Sequence, residues 1–83
     1  MTKHHDLKLA PQYYGFVCAG LKNFEIRKND RDYRVGDTVT FYEWDLYNGY
    51  SGAKTRKVTI CYVLKDVPEY GLADGYCIFG WND

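Results

Sequence analysis

Eighty-three residues make one domain with one core, close to the size below which chains need disulfides or metal to fold. Eleven basic and eleven acidic side chains cancel, which excludes a protein that grips nucleic acid by bulk positive charge; any anion site has to be local. Nine tyrosines, four phenylalanines and two tryptophans supply the large apolar groups that so small a core requires.

The first periodic stretch is His4 to Leu9, where Leu7 and Leu9 alternate with Asp6 and Lys8 as in a half-buried strand. His4 and His5 beside Asp6 read as a frayed, solvated terminus rather than a metal site, because adjacent residues on a strand face opposite ways. Pro11 then opens a short helix reaching Ala19, since its fixed φ suits a first helical turn. Gly20 ends it in the left-handed conformation, and Gly15 marks close packing of the helix on a sheet.

From Asn23 to Lys28 a second strand sets Phe24 and Ile26 on a dry face against Glu25 and Arg27 on a charged one. Asn29 to Asp32 is turn chemistry, because these side chains bond their own backbone, and Val35-Gly36-Asp37 makes a second tight turn. Thr38 to Trp44 is a β-rich third strand. Asp45 to Ala53 carries Asn48-Gly49, a hairpin signal, and Trp44, Tyr47 and Tyr50 around it offer either a stacking surface or a cover for one end of the core.

Lys54 to Leu64 reads as the central strand, buried on both faces over its second half by Tyr62, Val63 and Leu64. Lys65 to Asp74, with Pro68 and Gly71, is a loop holding a helical turn, and Gly75 to Trp81 closes the chain as a strand. These elements predict a mostly β (α+β) domain over residues 1–83: a barrel of five to six strands with one helix after the first strand, plugging one end. Cys18, Cys61 and Cys77, odd in number and without a CxxC pair, are expected to be free buried thiols in a reducing compartment, the cytoplasm. No charged-then-apolar leader opens the chain, and no apolar run approaches the roughly 18 residues that cross a bilayer.

Gly20 to Asp37 holds the densest charge. Residues 22–34 carry Lys22, Arg27, Lys28, Arg31 and Arg34 against Glu25, Asp30 and Asp32, and Lys54, Arg56 and Lys57 extend this patch if the hairpin folds back. Glu25 and Arg27 share a strand face, which Lys22 joins only because it precedes the regular strand. The spacing alone is equally that of a solvated ion pair.

The pattern G-x-K-x-x-E-x-R, here Gly20, Lys22, Glu25 and Arg27, resembles the signature of the ASCH domain (activating signal cointegrator homology), a branch of the PUA-like β-barrel superfamily. The likeness extends to the opening HDLKLAPQYY, the EIRKNDRDYRVGD run and the closing aromatic strand, and is to the small stand-alone bacterial and phage members. It implies a cleft beside the helix that takes RNA or a nucleotide-like small molecule, without metal or cofactor. The ligand-binding candidates are Lys22, Glu25, Arg27, Arg31 and Lys8. Lys and Arg suit phosphate or carbonyl oxygens, and Glu25 suits a base amino group.

Some ASCH relatives are amidohydrolases that deacetylate an N4-acylated cytidine with the motif lysine, a threonine three residues later and a distant glutamate. On that alternative Lys22 and Glu25 are the catalytic residues. Glu25 stands where the threonine would, and Glu69 matches the distant glutamate by position only. The resemblance therefore favours binding over catalysis.

Overall fold

The computed structural model describes residues 2–82 and shows a mostly β, α+β molecule in which one curved sheet wraps a single core. In chain order the elements are β1 (His4–Leu9), α1 (Pro11–Cys18), β2 (Phe24–Lys28), β3 (Thr38–Asp45), β4 (Gly49–Tyr50), β5 (Arg56–Lys65), a 3₁₀ turn at Pro68–Tyr70 and β6 (Tyr76–Trp81). The sheet order is β1-β3-β5-β6-β2, with the short β4 paired to β3. β1 runs parallel to β3, and the other ladders are antiparallel.

The expected alternation of β1 holds: Leu7 and Leu9 are buried, Asp6 and Lys8 exposed. His5 departs from the expectation of a frayed terminus. It is 4% exposed, its Nε2 lies 2.8 Å from Asp37 Oδ2, and its ring meets Tyr33 at 4.7 Å. Asp37 also accepts the backbone N–H groups of Lys3 and Arg34, so the Val35-Gly36-Asp37 turn fastens the first strand. Gly36, at φ 95°, takes the third position of that turn, which only glycine enters without strain.

Helix α1 begins at Pro11 and buries Tyr14 and Val17, three residues apart on one face. The Tyr14 hydroxyl donates to the Lys54 carbonyl; burial, with the Cys18 thiol adding to it, pushes Tyr14 up to about 12. Gly15 faces away from the sheet, and a Cβ there would meet nothing within 4 Å, so close packing is not its reason. At the helix end Gly20, at φ 74°, sends its N–H to the Val17 carbonyl. Leu21 and Lys22 N–H both reach the Phe16 carbonyl, at 3.0 and 3.1 Å. This paired closure fixes where Lys22 leaves the helix.

The core is Leu7, Leu9, Val17, Val39, Phe41, Val58, Ile60, Phe79 and Trp81 with Tyr14, Tyr33 and Cys77. β5 is not buried on both faces over its second half. Val58 and Ile60 point inward, a register shift follows between Ile60 and Tyr62, and Cys61 and Tyr62 are exposed. A bulge of this kind re-aims the side chains after it, which a plain alternation of residue types does not reveal. Of the three free cysteines only Cys77 is buried; Cys18 and Cys61 are exposed.

The sheet does not close into the expected barrel, because β1 and β2, its two edges, form no ladder with each other. Side chains span the seam instead: Arg27 Nη2 donates to the Lys8 carbonyl and Arg31 Nη1 to the Asp6 carbonyl at 3.3 Å. Among the described residues no helix is long and apolar enough to cross a membrane.

Candidate functional site at the open seam

The strand β2 has the opposite phase from the one its alternation suggests. Glu25 is 7% exposed, while Phe24 and Ile26 are 51% and 55% exposed. In the β2–β6 ladder Glu25 stands opposite Phe79 and Arg27 opposite Cys77, both fully buried, so the two charged residues share the inward face of the sheet. Phe24 and Ile26 take the outward face. The physical reason is position: β2 is an edge of the sheet, so residues of both its faces line the seam cleft, where Lys22 and Arg27 compensate the buried Glu25.

Glu25 is the hub of that cleft. Its Oε1 accepts from Lys22 Nζ at 2.7 Å and its Oε2 from Arg27 Nε at 3.0 Å, with Arg27 Nη2 also 3.0 Å from Oε2. A carboxylate buried this deeply is tolerated because two cations compensate it. Lys22 Nζ donates further to the Phe24 carbonyl at 2.8 Å and lies 5.6 Å and 5.2 Å from the ring centres of Tyr13 and Phe24. Two cations on one carboxylate leave the floor with one net positive charge.

The backbone contributes as well. Asn23 O accepts from Trp81 N–H, and Asn29 N–H donates to Gly75 O. In an antiparallel ladder this alternation directs residues 23, 25, 27 and 29 toward β6 and turns the N–H and C=O groups of Phe24, Ile26 and Lys28 toward the seam. The cleft encloses about 570 Å³ and is lined by Lys8, Leu9, Ala10, Tyr13, Lys22, Phe24, Glu25, Ile26 and Arg27.

Four of the five ligand-binding candidates, Lys8, Lys22, Glu25 and Arg27, therefore meet in one place. Lys8 does so through its carbonyl, for its ammonium lies 4.1 Å from the ring centre of Trp44. Arg31 spans the seam further along β1 and does not line the cleft. Glu69 sits exposed on the 3₁₀ turn, outside it. Arg56 and Lys57 pair with Phe41 and Thr40 of β3, and β6 separates their strand from β2 in the sheet. Tyr47 and Leu46, each 95% exposed, border a smaller hollow of about 260 Å³ with Trp44 and Pro11.

Sequence reasoning missed Tyr13 and Phe24 as cleft walls. For Tyr13 a signal existed. With Tyr14 and Val17 inward, Tyr13 has to leave the buried face of the helix, on the side where the chain returns at Lys22. For Phe24 none existed, because the phase of β2 depends on its pairing with β6.

A stretch of 44 residues, 53% of the chain, is 46% identical to an uncharacterized 12.9 kDa protein in the GpA 3′ region of Escherichia phage P2, of whose length the match takes in 40%. Over residues 4–81, from the start of β1 to the end of β6, the chain matches the family described as a domain of unknown function, DUF3850, and it belongs to that family.

Proposed function

We propose that the chain is an RNA- or nucleotide-binding module of the ASCH, PUA-like kind, acting in the cytoplasm, whose ligand lies in the seam cleft. One observation carries the reading: a buried carboxylate fixes two cations, one of them Lys22 beside two accessible aromatic rings, in a space of about 570 Å³. That volume lies within the range that accepts a small ligand. Tyr13 and Phe24, 48% and 51% exposed, offer faces on which a base can stack. Lys22 and Arg27 offer donors to phosphate or carbonyl oxygens.

Hydrolysis of an N4-acylated cytidine has less support. Lys22 Nζ is engaged as a donor to both Glu25 and the Phe24 carbonyl, the posture of a binding cation rather than of a base. Glu69 is absent from the cleft lining. Incubation with N4-acetylcytidine is expected to release no cytidine on chromatography even at high protein concentration; release would favour the enzyme.

Binding is tested by thermal shift and fluorescence anisotropy with nucleotides and short RNAs. Lys22→Ala is expected to abolish the interaction while lowering stability by only about 1 kcal/mol, since Arg27 still partners Glu25. Undiminished binding by Lys22→Ala would overturn this assignment of the site.

A further inference from the structure

We infer that the cleft prefers a base whose major-groove edge carries acceptors alone, uracil or guanine, over one that places an amino group on that edge, cytosine or adenine. The inference rests on the nucleotide-binding reading and deepens it. The reason lies in which donors and acceptors remain free once the site's internal bonds are made.

Glu25 is the acidic side chain of the cleft lining, and both its oxygens are taken: Oε1 by Lys22, Oε2 by Arg27. Its side chain is only 9% exposed, so an incoming amino group reaches the remaining lone pairs only past the two cations that already hold both oxygens. The donors, by contrast, are in surplus. Lys22 has three N–H groups and sends two of them to Glu25 and the Phe24 carbonyl. Arg27 sends Nε to Glu25 and Nη2 to Lys8 O, which leaves the two N–H groups of Nη1 without a partner among the described residues. Lys22 and Arg27 remain 16% and 27% exposed, open to a ligand from the cleft side.

Three free donors and one net positive charge match an edge of acceptors. On the major-groove edge guanine supplies O6 and N7 to a guanidinium, and uracil supplies O4. Cytosine and adenine place an amino group among their acceptors, where it would face the cations donor to donor. The same carboxylate that fixes Lys22 and Arg27 is thereby withdrawn from base reading and acts as a positioning residue.

The test measures equilibrium binding of the intact protein to UMP, GMP, CMP and AMP, with ribose 5-phosphate as the base-free control. UMP and GMP are expected to bind at least about five-fold more tightly than CMP, AMP and ribose 5-phosphate, the lower end of what one good base contact discriminates. A smaller preference, a preference for CMP or AMP, or ribose 5-phosphate binding as well as the nucleotides overturns the inference; the last result would mean that the cations hold phosphate. If none of these ligands and no mixed-sequence RNA binds, the nucleotide reading itself falls and this inference with it. Arg27→Lys, which keeps the charge but lacks Nη1, is expected to lose the preference for UMP and GMP over CMP and AMP. An unchanged preference in a folded Arg27→Lys protein would count against the assigned donor.

Discussion

Two buried carboxylates do different work in this molecule, and their partners decide which. Glu25 gathers cations at the cleft, whereas Asp37 gathers backbone N–H groups and His5 in the turn before β3. Burial alone would push Asp37 up, but the hydrogen bonds from His5, Lys3 and Arg34 outweigh it and hold the carboxyl below its ordinary 3.8. A carboxylate held low in the fold contributes stability that is present above 3.8 and lost as pH falls through its folded value. Asp37→Asn is accordingly expected to cost about 1–3 kcal/mol in urea unfolding at pH 7. The gap between variant and wild type should narrow as the pH is taken below 3.8; a gap that stays constant with pH would refute the linkage. The turn itself was legible from Val35-Gly36-Asp37, but its grip on His5 was not, because a contact across 32 residues leaves no local trace.

At the scale of elements, local chemistry was read correctly wherever a residue's own backbone preference decides. Pro11 starts α1, Gly20 ends it, Asn29 accepts from Tyr33 N–H in its turn, and Pro68 opens a 3₁₀ turn. The reading failed where a neighbour decides. An edge strand that lines a cleft reverses the usual rule, so Phe24-Glu25-Ile26-Arg27 shows a clean period of two with the wrong side dry. β5 fails for a related reason: the shift after Ile60 changes which of Cys61, Tyr62 and Val63 faces inward. This gives a direct check on β2. Ile26→Ser should change stability by less than about 1 kcal/mol, whereas Phe79→Ala on the strand beside it should cost about 3–5 kcal/mol. Comparable losses from the two in urea titrations would restore the dry face to Phe24 and Ile26.

Over the whole molecule, the seam is the departure from the expected closed barrel, and the cleft exists because of it. Were β1 and β2 joined by a backbone ladder, the Lys8 carbonyl would be occupied by a strand rather than by Arg27. The edges should also be the first part of the sheet to open, since arginine side chains replace a ladder there. Amide exchange is expected to be faster at Asp6, Lys8 and Ile26 than at Val39 and Val58. Arg27→Ala should accelerate it further in β1 while leaving β5 unchanged; uniform acceleration across the sheet would point instead to global destabilisation.

The ladder between β2 and β6 joins residues 24–28 to residues 76–80. Every charged member of the cleft, Lys8, Lys22, Glu25 and Arg27, comes from the first third of the chain, yet the strand that aims two of them is held by the last. During synthesis the ribosome therefore delivers all the chemistry of the site well before the part that orients it. A nascent chain lacking Tyr76 to Trp81 carries the right residues with no cleft, and the site is born only when the final strand leaves the exit tunnel and docks.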